Sequence, residues 1–190
     1  MSVIGFSGRA GAGKDTAALI VKKSLEKRGL TVELVAFADP IKACMKEVFM
    51  VDASVFSDRT AKETPHKEMY GFTPRKVCQL FGTEMMREMI QENIWLDRLH
   101  KVICMSRADV VLVTDVRFEN ENESLVARGH AVFFIDADER LGPMSANAHM
   151  SERAVYNIRA DPGVRVISNN GSAEEFARRI ELSIVDTLFF

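Results

Sequence analysis

Short apolar runs alternate with amphipathic stretches along most of this chain. The runs predict strands at about residues 3–6, 31–37, 108–114, 131–136 and 164–168. Their nearly continuous apolar character is typical of strands that are buried on both faces of a parallel sheet. Because helical patterns separate them, the sequence predicts an α/β fold with three layers: a central parallel five-stranded sheet with helices on both faces.

Start signals place several of the helices. A helix follows the segment 8–16 and ends at Gly29, and Asp39 as the N-cap with Pro40 in the first turn opens another. Ser172 and Glu175 form a predicted capping box for the last helix, which runs to about Leu188.

One helix, at about residues 73–92, carries a distinctive polar stripe. Four polar residues recur at four-residue steps: Arg75, Gln79, Thr83 and Arg87. Four apolar residues form the opposite stripe: Val77, Phe81, Met85 and Met89. The polar stripe either holds a ligand, with a phosphate at one end and a base edge near Gln79, or simply faces solvent.

Two segments lack a regular pattern. For residues 50–72 we therefore expect a mobile surface segment. For residues 138–156 we expect either a lid that excludes water or an ordinary long loop. A single domain over residues 1–190 fits the length. The end of the chain, Leu188-Phe189-Phe190, covers either a core edge or a neighbouring subunit, so a homodimer is one of two interpretations.

Composition excludes several classes of function. The net charge of −2 provides no basic field for nucleic acid, so no nucleic-acid partner is expected. The apolar runs are too short to cross a bilayer, so no membrane partner is expected. Three separated cysteines without a CxxC pair fit a reducing cytoplasm (the host cytoplasm, for a viral protein).

The segment 8–16, which reads Gly-Arg-Ala-Gly-Ala-Gly-Lys-Asp-Thr, lies between the first strand and the first helix. It is a phosphate-binding P-loop in its proper context, where main-chain N–H groups, a lysine and a helix N-terminus surround one anion. Asp15 departs from the general pattern, because the residue after the lysine is usually a Ser or Thr that ligates Mg²⁺. Arg9 either touches a phosphate or faces water.

A second acidic group is expected where the strand at 108–114 ends, because ligands of open α/β sheets lie beyond strand ends. Asp115 stands there, and with Asp15 it could hold Mg²⁺ largely through water. Arg117 follows and could bind a phosphate bidentately. The alternatives are a turn cap for Asp115 and a solvated surface arginine for Arg117.

Five motifs occur in an order that resembles the phage-type deoxynucleoside monophosphate kinases, over nearly the whole chain. They are the P-loop with its Gly-Lys-Asp-Thr ending, Phe37-Ala38-Asp39-Pro40-Ile41-Lys42, Gln79-Leu80-Phe81-Gly82-Thr83-Glu84 with Trp95, Asp115-Val116-Arg117-Phe118-Glu119-Asn120-Glu121, and His149-Met150-Ser151-Glu152. The family shares the Asp after the lysine.

The resemblance implies a P-loop nucleoside-monophosphate-kinase fold, with a lid and a monophosphate-binding segment. It implies transfer of the γ-phosphoryl group of ATP, with Mg²⁺, to a deoxynucleoside monophosphate. The motifs and the resemblance together predict a catalytic set: Lys14, Asp115, Arg117 and Arg140. They predict a set that binds ATP: Gly11, Ala12, Gly13, Lys14, Asp15, Thr16 and Asn170. They predict a set that binds the acceptor: Asp39, Lys42, Arg75, Gln79, Gly82, Thr83, Arg87, Trp95 and Glu121.

Two other functions remain open from the residues alone. A P-loop does not choose its acceptor, so a kinase of the dephospho-coenzyme A or phosphomevalonate type is one alternative. A nucleotide-dependent switch without an acceptor is the other, since a fold does not determine a function. The accepted bases and the choice between ribose and deoxyribose cannot be read from this sequence.

Overall fold

The apolar runs form one parallel sheet, as the sequence predicts. The structure is a computed structural model, and it describes residues 1–58 and 60–185 of the chain. The strands are β1 (Ser2–Ser7), β2 (Val32–Val35), β3 (Val110–Val116), β4 (Ala131–Asp136) and β5 (Val164–Ser168). Their order in the sheet is β2-β3-β1-β4-β5. β2 is shorter than its apolar run, whereas β3 continues two residues further and includes Asp115.

Helices cover most of the remaining described residues. They are α1 (Lys14–Lys27), α2 (Asp39–Phe49), α3 (Ser54–Ser57), α4 (Pro74–Gln79), α5 (Ile94–Met105), α6 (Glu119–Val126), α7 (Asp138–Leu141), α8 (Met150–Arg153), α9 (Val155–Ala160) and α10 (Ala173–Ile180). Two continue as π-helix: α4 through Leu80–Ile90 and α10 through Glu181–Val185. None of the described helices has the length and apolar character needed to span a membrane. The predicted role of Leu188-Phe189-Phe190 falls outside the described residues.

The chain divides into two compact units. The first combines residues 1–36 with the described residues from 102 onward, and the second is residues 37–101. In the first unit, α1 and α10 pack on the sheet through side chains such as Leu25, Phe133 and Ile180. The parallel neighbours β1 and β3 end at the same edge of the sheet, so the P-loop and the residues that follow β3 begin side by side.

The second unit has its own core of five buried side chains: Met45, Val51, Phe56, Met69 and Val77. Three of them come from residues 50–72, where the sequence shows no regular pattern. The segment instead forms short helical turns, including 3₁₀ turns at Ala61–Glu63 and Lys67–Met69. Each of these turns buries at most one apolar side chain, which is too sparse to produce a readable period. The mobility predicted for this segment stays a prediction.

The predicted start of the last helix is confirmed, and the helix predicted at about residue 73 begins at Pro74. The hydroxyl of Thr73 accepts the N–H of Lys76 at 3.1 Å, and Ser172 and Glu175 form the predicted capping box. The prediction for α2 is wrong by one position, because Ala38 is the N-cap and Asp39 lies in the first turn. A carboxylate in that turn still complements the positive end of the helix dipole.

The apolar stripe of the helix that begins at α4 faces inward only in its first half. Val77 is buried, whereas Met85 and Met89 are exposed. The cause is the change to π-helix after Gln79, since i→i+5 hydrogen bonds put more residues in each turn. In a π-helix, residues four apart in the sequence therefore do not stay on the same face as they do in an α-helix.

Gly8, directly after β1, allows the close approach of the P-loop to β4. Its φ is +135°, and a Cβ at this position would lie 2.6 Å from the carbonyl oxygen of Ile135. A main-chain oxygen inside a sheet cannot move aside, so only glycine fits here.

We therefore expect Gly8→Ala to lower the free energy of unfolding by about 1–3 kcal/mol more than Gly129→Ala does. Gly129 is the matched control, since its φ is also positive (+76°) but its Cβ would meet nothing within 4 Å. Urea unfolding of both variants measures the difference. Equal losses in the two variants would show that the approach to Ile135 costs nothing.

Candidate active site

Lys14 folds back over the loop that precedes it. Its ammonium donates to the carbonyl oxygens of Gly8 and Arg9 at 2.7 and 2.9 Å, and the residue is 8 % exposed. Burial, followed by the positive charge of Arg117, lowers the pKa of Lys14 to about 8. An ammonium with so little hydration is poised to exchange its carbonyl partners for an anionic ligand.

Glycines at positive φ shape the loop itself. Gly11 has a φ of 78° and Gly13, the N-cap of α1, has a φ of 103°. A Cβ at Gly13 would lie 2.5 Å from the side-chain nitrogen of Asn169. α1 starts at Lys14, so the positive end of its dipole lies at the loop, with Asp15 and Thr16 exposed in the first turn.

Side chains from other segments hold the carbonyl groups of the loop. The amide of Asn169 donates to the carbonyl of Ala12 at 2.7 Å, and Arg140 Nη2 donates to the carbonyl of Gly11 at 2.9 Å. Asn170 accepts the backbone N–H of Arg140 at 3.4 Å. The catalytic role of Arg140 and the nucleotide-binding role of Asn170 stay predictions, and in this structure both residues lie in the group that supports the loop.

Arg117 is held by a carboxylate that also contacts the P-loop. Its Nη1 donates to Oε1 of Glu152 at 2.6 Å, and Oε2 of Glu152 accepts the backbone N–H of Ala10 at 3.0 Å. Burial alone would raise the pKa of Glu152, but Arg117 and the Ala10 N–H outweigh it and lower that pKa below its usual range. Glu152 is therefore ionised at neutral pH, and its carboxylate bridges the arginine and the loop.

A second glutamate fixes the main chain that carries Arg117. Glu121 is 2 % exposed, and its Oε2 accepts the backbone N–H groups of Arg117 and Phe118 at 2.8 and 3.2 Å. These bonds cap the start of α6. The predicted contact of Glu121 with a substrate stays a prediction, whereas its contact with the backbone orients the residue beside it.

Asp115 lies in an irregularity of β3. Gly5 pairs with Val113 and Ser7 with Val116, so β3 has one residue more than β1 between these pairs. Such a bulge re-aims the side chains next to it. The negative charge of Asp115 acts to raise the pKa values of Lys14 and Arg117, against the lowering effect of burial. Asp115 is thus electrostatically coupled to both cations.

These carboxylates fit a magnesium ion that binds together with phosphate. Asp15 and Asp115 both act on the charge of Lys14. Within residues 1–58 and 60–185, no group of three or more His, Cys, Asp or Glu is arranged to hold a metal ion by itself. Mg²⁺ usually takes only one or two carboxylates and completes its shell with water and substrate phosphates.

In the second unit, the polar stripe becomes more buried along its length. Nε of Arg75 donates to Glu63 Oε1 at 2.5 Å, and Gln79 is half-buried. Thr83 and Arg87 are only 6 % and 7 % exposed. The alternative of a plain solvent-facing stripe is therefore wrong for its second half, because a wet helix face does not bury an arginine.

Two cations of this unit lie near one thiol. Burial raises the pKa of Cys78 to about 11, and the charges of Lys42 and Arg75 oppose that rise. Lys42 comes from α2 and Arg75 from α4, so the fold of this unit brings together two predicted acceptor-binding residues. Asp39 is exposed in the first turn of α2.

Gly82 and Trp95 are tied to each other within the same unit. Nε1 of Trp95 donates to the carbonyl of Gly82 at 2.8 Å, and its ring packs against Phe81 with centroids 6.3 Å apart. A Cβ at Gly82 would lie 2.5 Å from Cδ1 of Ile41. These are packing roles, and the predicted contacts with an acceptor stay predictions.

The site residues predicted from the sequence do not include Glu152 or Asn169. The available signal was the motif at 149–152, which contains Glu152, but a pairing with an arginine 35 residues away cannot be read from spacing. His149 behaves as the local hydrogen-bonding residue that the sequence favours. Its Nδ1 accepts the N–H of Ser151 at 3.2 Å and caps α8.

Known proteins resemble this chain, one of them over nearly its full length. A family model described as deoxynucleotide monophosphate kinase matches residues 52–180. A protein of Acanthamoeba polyphaga mimivirus, provisionally named a deoxynucleotide monophosphate kinase, is 34% identical over 200 residues, which cover 98% of this chain and 97% of that protein. A deoxynucleoside-5'-monophosphate kinase of Escherichia phage T5 is 47% identical over 58 residues, which cover 30% and 23% of the two chains.

Solved structures share the fold at low sequence identity. A gluconokinase from Sinorhizobium meliloti 1021 superimposes with a TM-score of 0.54 at 12% identity, covering 98% of this chain and 93% of the other. At that identity the likeness shows the α/β kinase fold alone.

The pKa of Lys14 predicts a pH dependence of nucleotide binding. Phosphate favours the charged ammonium, and the free protein loses that charge as the pH rises through about 8. We expect the affinity for ADP to be level below that pH and to fall above it, by at most about tenfold per pH unit. Calorimetric titrations between pH 7 and 9.5 measure the effect.

Lys14→Arg is the matched control, because its guanidinium keeps its charge throughout this range. Its affinity for ADP, whatever its absolute value, should change much less with pH. The same fall in both proteins would assign the pH dependence to another group.

Proposed function

The chain belongs to the deoxynucleotide monophosphate kinase family, and we propose that it transfers the γ-phosphoryl group of ATP to a deoxynucleoside monophosphate. An oxygen of the acceptor phosphate attacks the γ-phosphorus, and the bond from that phosphorus to the bridging oxygen breaks. The products are a deoxynucleoside diphosphate and ADP. The enzyme supplies alignment and positive charge, which are the main requirements of phosphoryl transfer.

The observation that carries this proposal is the pair of cations beside the P-loop, of which Lys14 is buried and Arg117 is partly buried. The charge of Arg117 acts to lower the pKa of Lys14, so the two cations lie close together, and the carboxylates of Glu152 and Asp115 act on both. Two cations in a site with little water stabilise the charge that builds up on a phosphoryl group in transfer. We propose that Lys14 binds the transferred phosphate and that the free N–H groups of Arg117 address its equatorial oxygens.

Mg²⁺ completes the proposed site, with Asp15 and Asp115 as its protein partners, largely through water. Asp15 is exposed in the first turn of α1 and Asp115 lies in the bulge of β3. When bound, the ion neutralises phosphate charge. The two aspartates would orient its water ligands. This role fits the presence of Asp15 at the position where most P-loops have a Ser or Thr hydroxyl that ligates the ion.

We propose that the second unit binds the acceptor. Lys42 and Arg75, which both act on the thiol of Cys78, would bind its phosphate. Half-buried Gln79 offers one donor and one acceptor to a base edge. The buried pair Thr83 and Arg87 would complete the polar row.

Turnover of purified protein with ATP and Mg²⁺ tests the proposal against every common deoxynucleoside and nucleoside monophosphate. Coupled detection of ADP, with product analysis, should show a diphosphate product for at least one deoxynucleoside monophosphate, lost in Lys14→Ala. Turnover only with dephospho-coenzyme A or phosphomevalonate would identify another acceptor class. Tight nucleotide binding without acceptor-dependent turnover would favour a switch.

Lys42→Ala and Arg75→Ala test the acceptor site. Each removes one charge-assisted hydrogen bond to the acceptor phosphate, so KM for the monophosphate should rise about 10–100-fold. KM for ATP should change little. Steady-state kinetics with each substrate varied in turn measures both values.

Lys46→Ala provides the control for this experiment, because Lys46 lies on the same helix, is exposed and pairs with Glu47. Its kinetics should match those of the wild type. If Lys46→Ala raises KM as much as Lys42→Ala does, the effect is one of general charge rather than of a defined phosphate site.

A further inference from the structure

We infer that Glu152 is a positioning residue, which holds the guanidinium of Arg117 beside the P-loop in the geometry that phosphoryl transfer requires. This inference rests on the proposed function. Glu152 has no role among the predicted site residues, and it does not need to touch a substrate in order to act. It works through Arg117.

Geometry is the first support for this role. The two oxygens of Glu152 have different partners: Oε1 accepts from Arg117 Nη1 at 2.6 Å and Oε2 accepts from the Ala10 N–H at 3.0 Å. A single rigid carboxylate therefore fixes the distance between the arginine and the loop. The bond to Arg117 uses only one of its five N–H donors, so the others remain for phosphate oxygens.

Charge is the second support. Arg117 and Lys14 are both positive, and Arg117 disfavours the charge of Lys14. Glu152 favours the charge of both cations, and without this nearby anion their repulsion would favour positions of the guanidinium farther from the ammonium. The Glu152 side chain is only 15 % exposed, so its charge acts with little screening by water.

The third support is that the backbone segment that carries Glu152 is anchored on the sheet. Glu152 lies on α8, a single turn whose N-cap is the His149 imidazole and whose neighbour Ser151 is buried. α8 packs against α9, which contacts β1 and β5. The carboxylate thus projects from a segment anchored on the sheet, as a positioning group must.

Glu152→Gln tests the inference, because the amide keeps the shape and can still accept from Ala10 but has no charge. We expect kcat to fall about 10–100-fold, since a displaced group costs rate more than binding. KM for ATP and for the monophosphate should stay within about threefold of the wild-type values. Glu152→Asp restores the charge and should recover part of kcat, whereas Glu123→Gln, an exposed change on α6, should alter neither constant.

A double-mutant cycle separates positioning from a general loss of structure. If Glu152 acts through Arg117, Arg117→Ala with Glu152→Gln should have about the kcat of Arg117→Ala alone. Losses that multiply would assign the two residues independent roles and overturn the inference. So would a Glu152→Gln protein in which kcat falls only in proportion to thermal stability.

A crystal structure of Glu152→Gln tests the positioning of Arg117 by a measurement that does not depend on turnover. The Arg117 guanidinium should leave its position near Ala10, and finding it unmoved would overturn the inference even if the enzyme is a kinase. Absence of turnover in the wild type would instead contradict the proposed function and leave the displacement of Arg117 as the deciding measurement.

Discussion

Two neighbouring cations at one loop, Lys14 buried and Arg117 partly buried, are the constraint on which the rest of this site depends. Lys14 and Arg117 repel each other, and burial penalises the charge of both. A site of this kind persists only where fixed anions offset the repulsion. Glu152 supplies such an anion by direct contact, and Asp115 and Asp15 add further negative charge nearby. The site is therefore a balanced set of charges, in which an arriving phosphate joins an arrangement that already tolerates anions.

The sheet creates this arrangement by bringing strand ends together. The P-loop follows β1, and Asp115 and Arg117 lie at the end of its neighbour β3. β4 approaches the start of the P-loop so closely that only glycine fits at position 8. The extra residue in β3 and the buried carboxylate of Glu121 then set the direction of the chain after β3. Chemistry at this edge thus depends on sheet register as much as on the identity of the side chains.

Sequence reasoning was strongest where a local pattern has one physical meaning. The parallel five-stranded sheet, the helix that starts at about residue 73 and the capping box at Ser172 follow from short-range signals, and the structure agrees with them. It was weakest where the outcome depends on partners far along the chain. The pairing of Glu152 with Arg117 is one case, and the support of Ala12 by Asn169 is another. The π-helix after Gln79 cannot be read from hydrophobic periodicity, because that method assumes the same number of residues in every helical turn.

The contacts of Asn169 and Arg140 with the loop carbonyls have a thermodynamic consequence. Main-chain oxygens of the loop accept hydrogen bonds from protein side chains that lie well over a hundred positions away in the sequence. A receptor that is shaped in advance spends little conformational entropy when its ligand arrives. More of the interaction energy then remains for affinity, because the loop does not have to fold around the phosphate when the nucleotide binds.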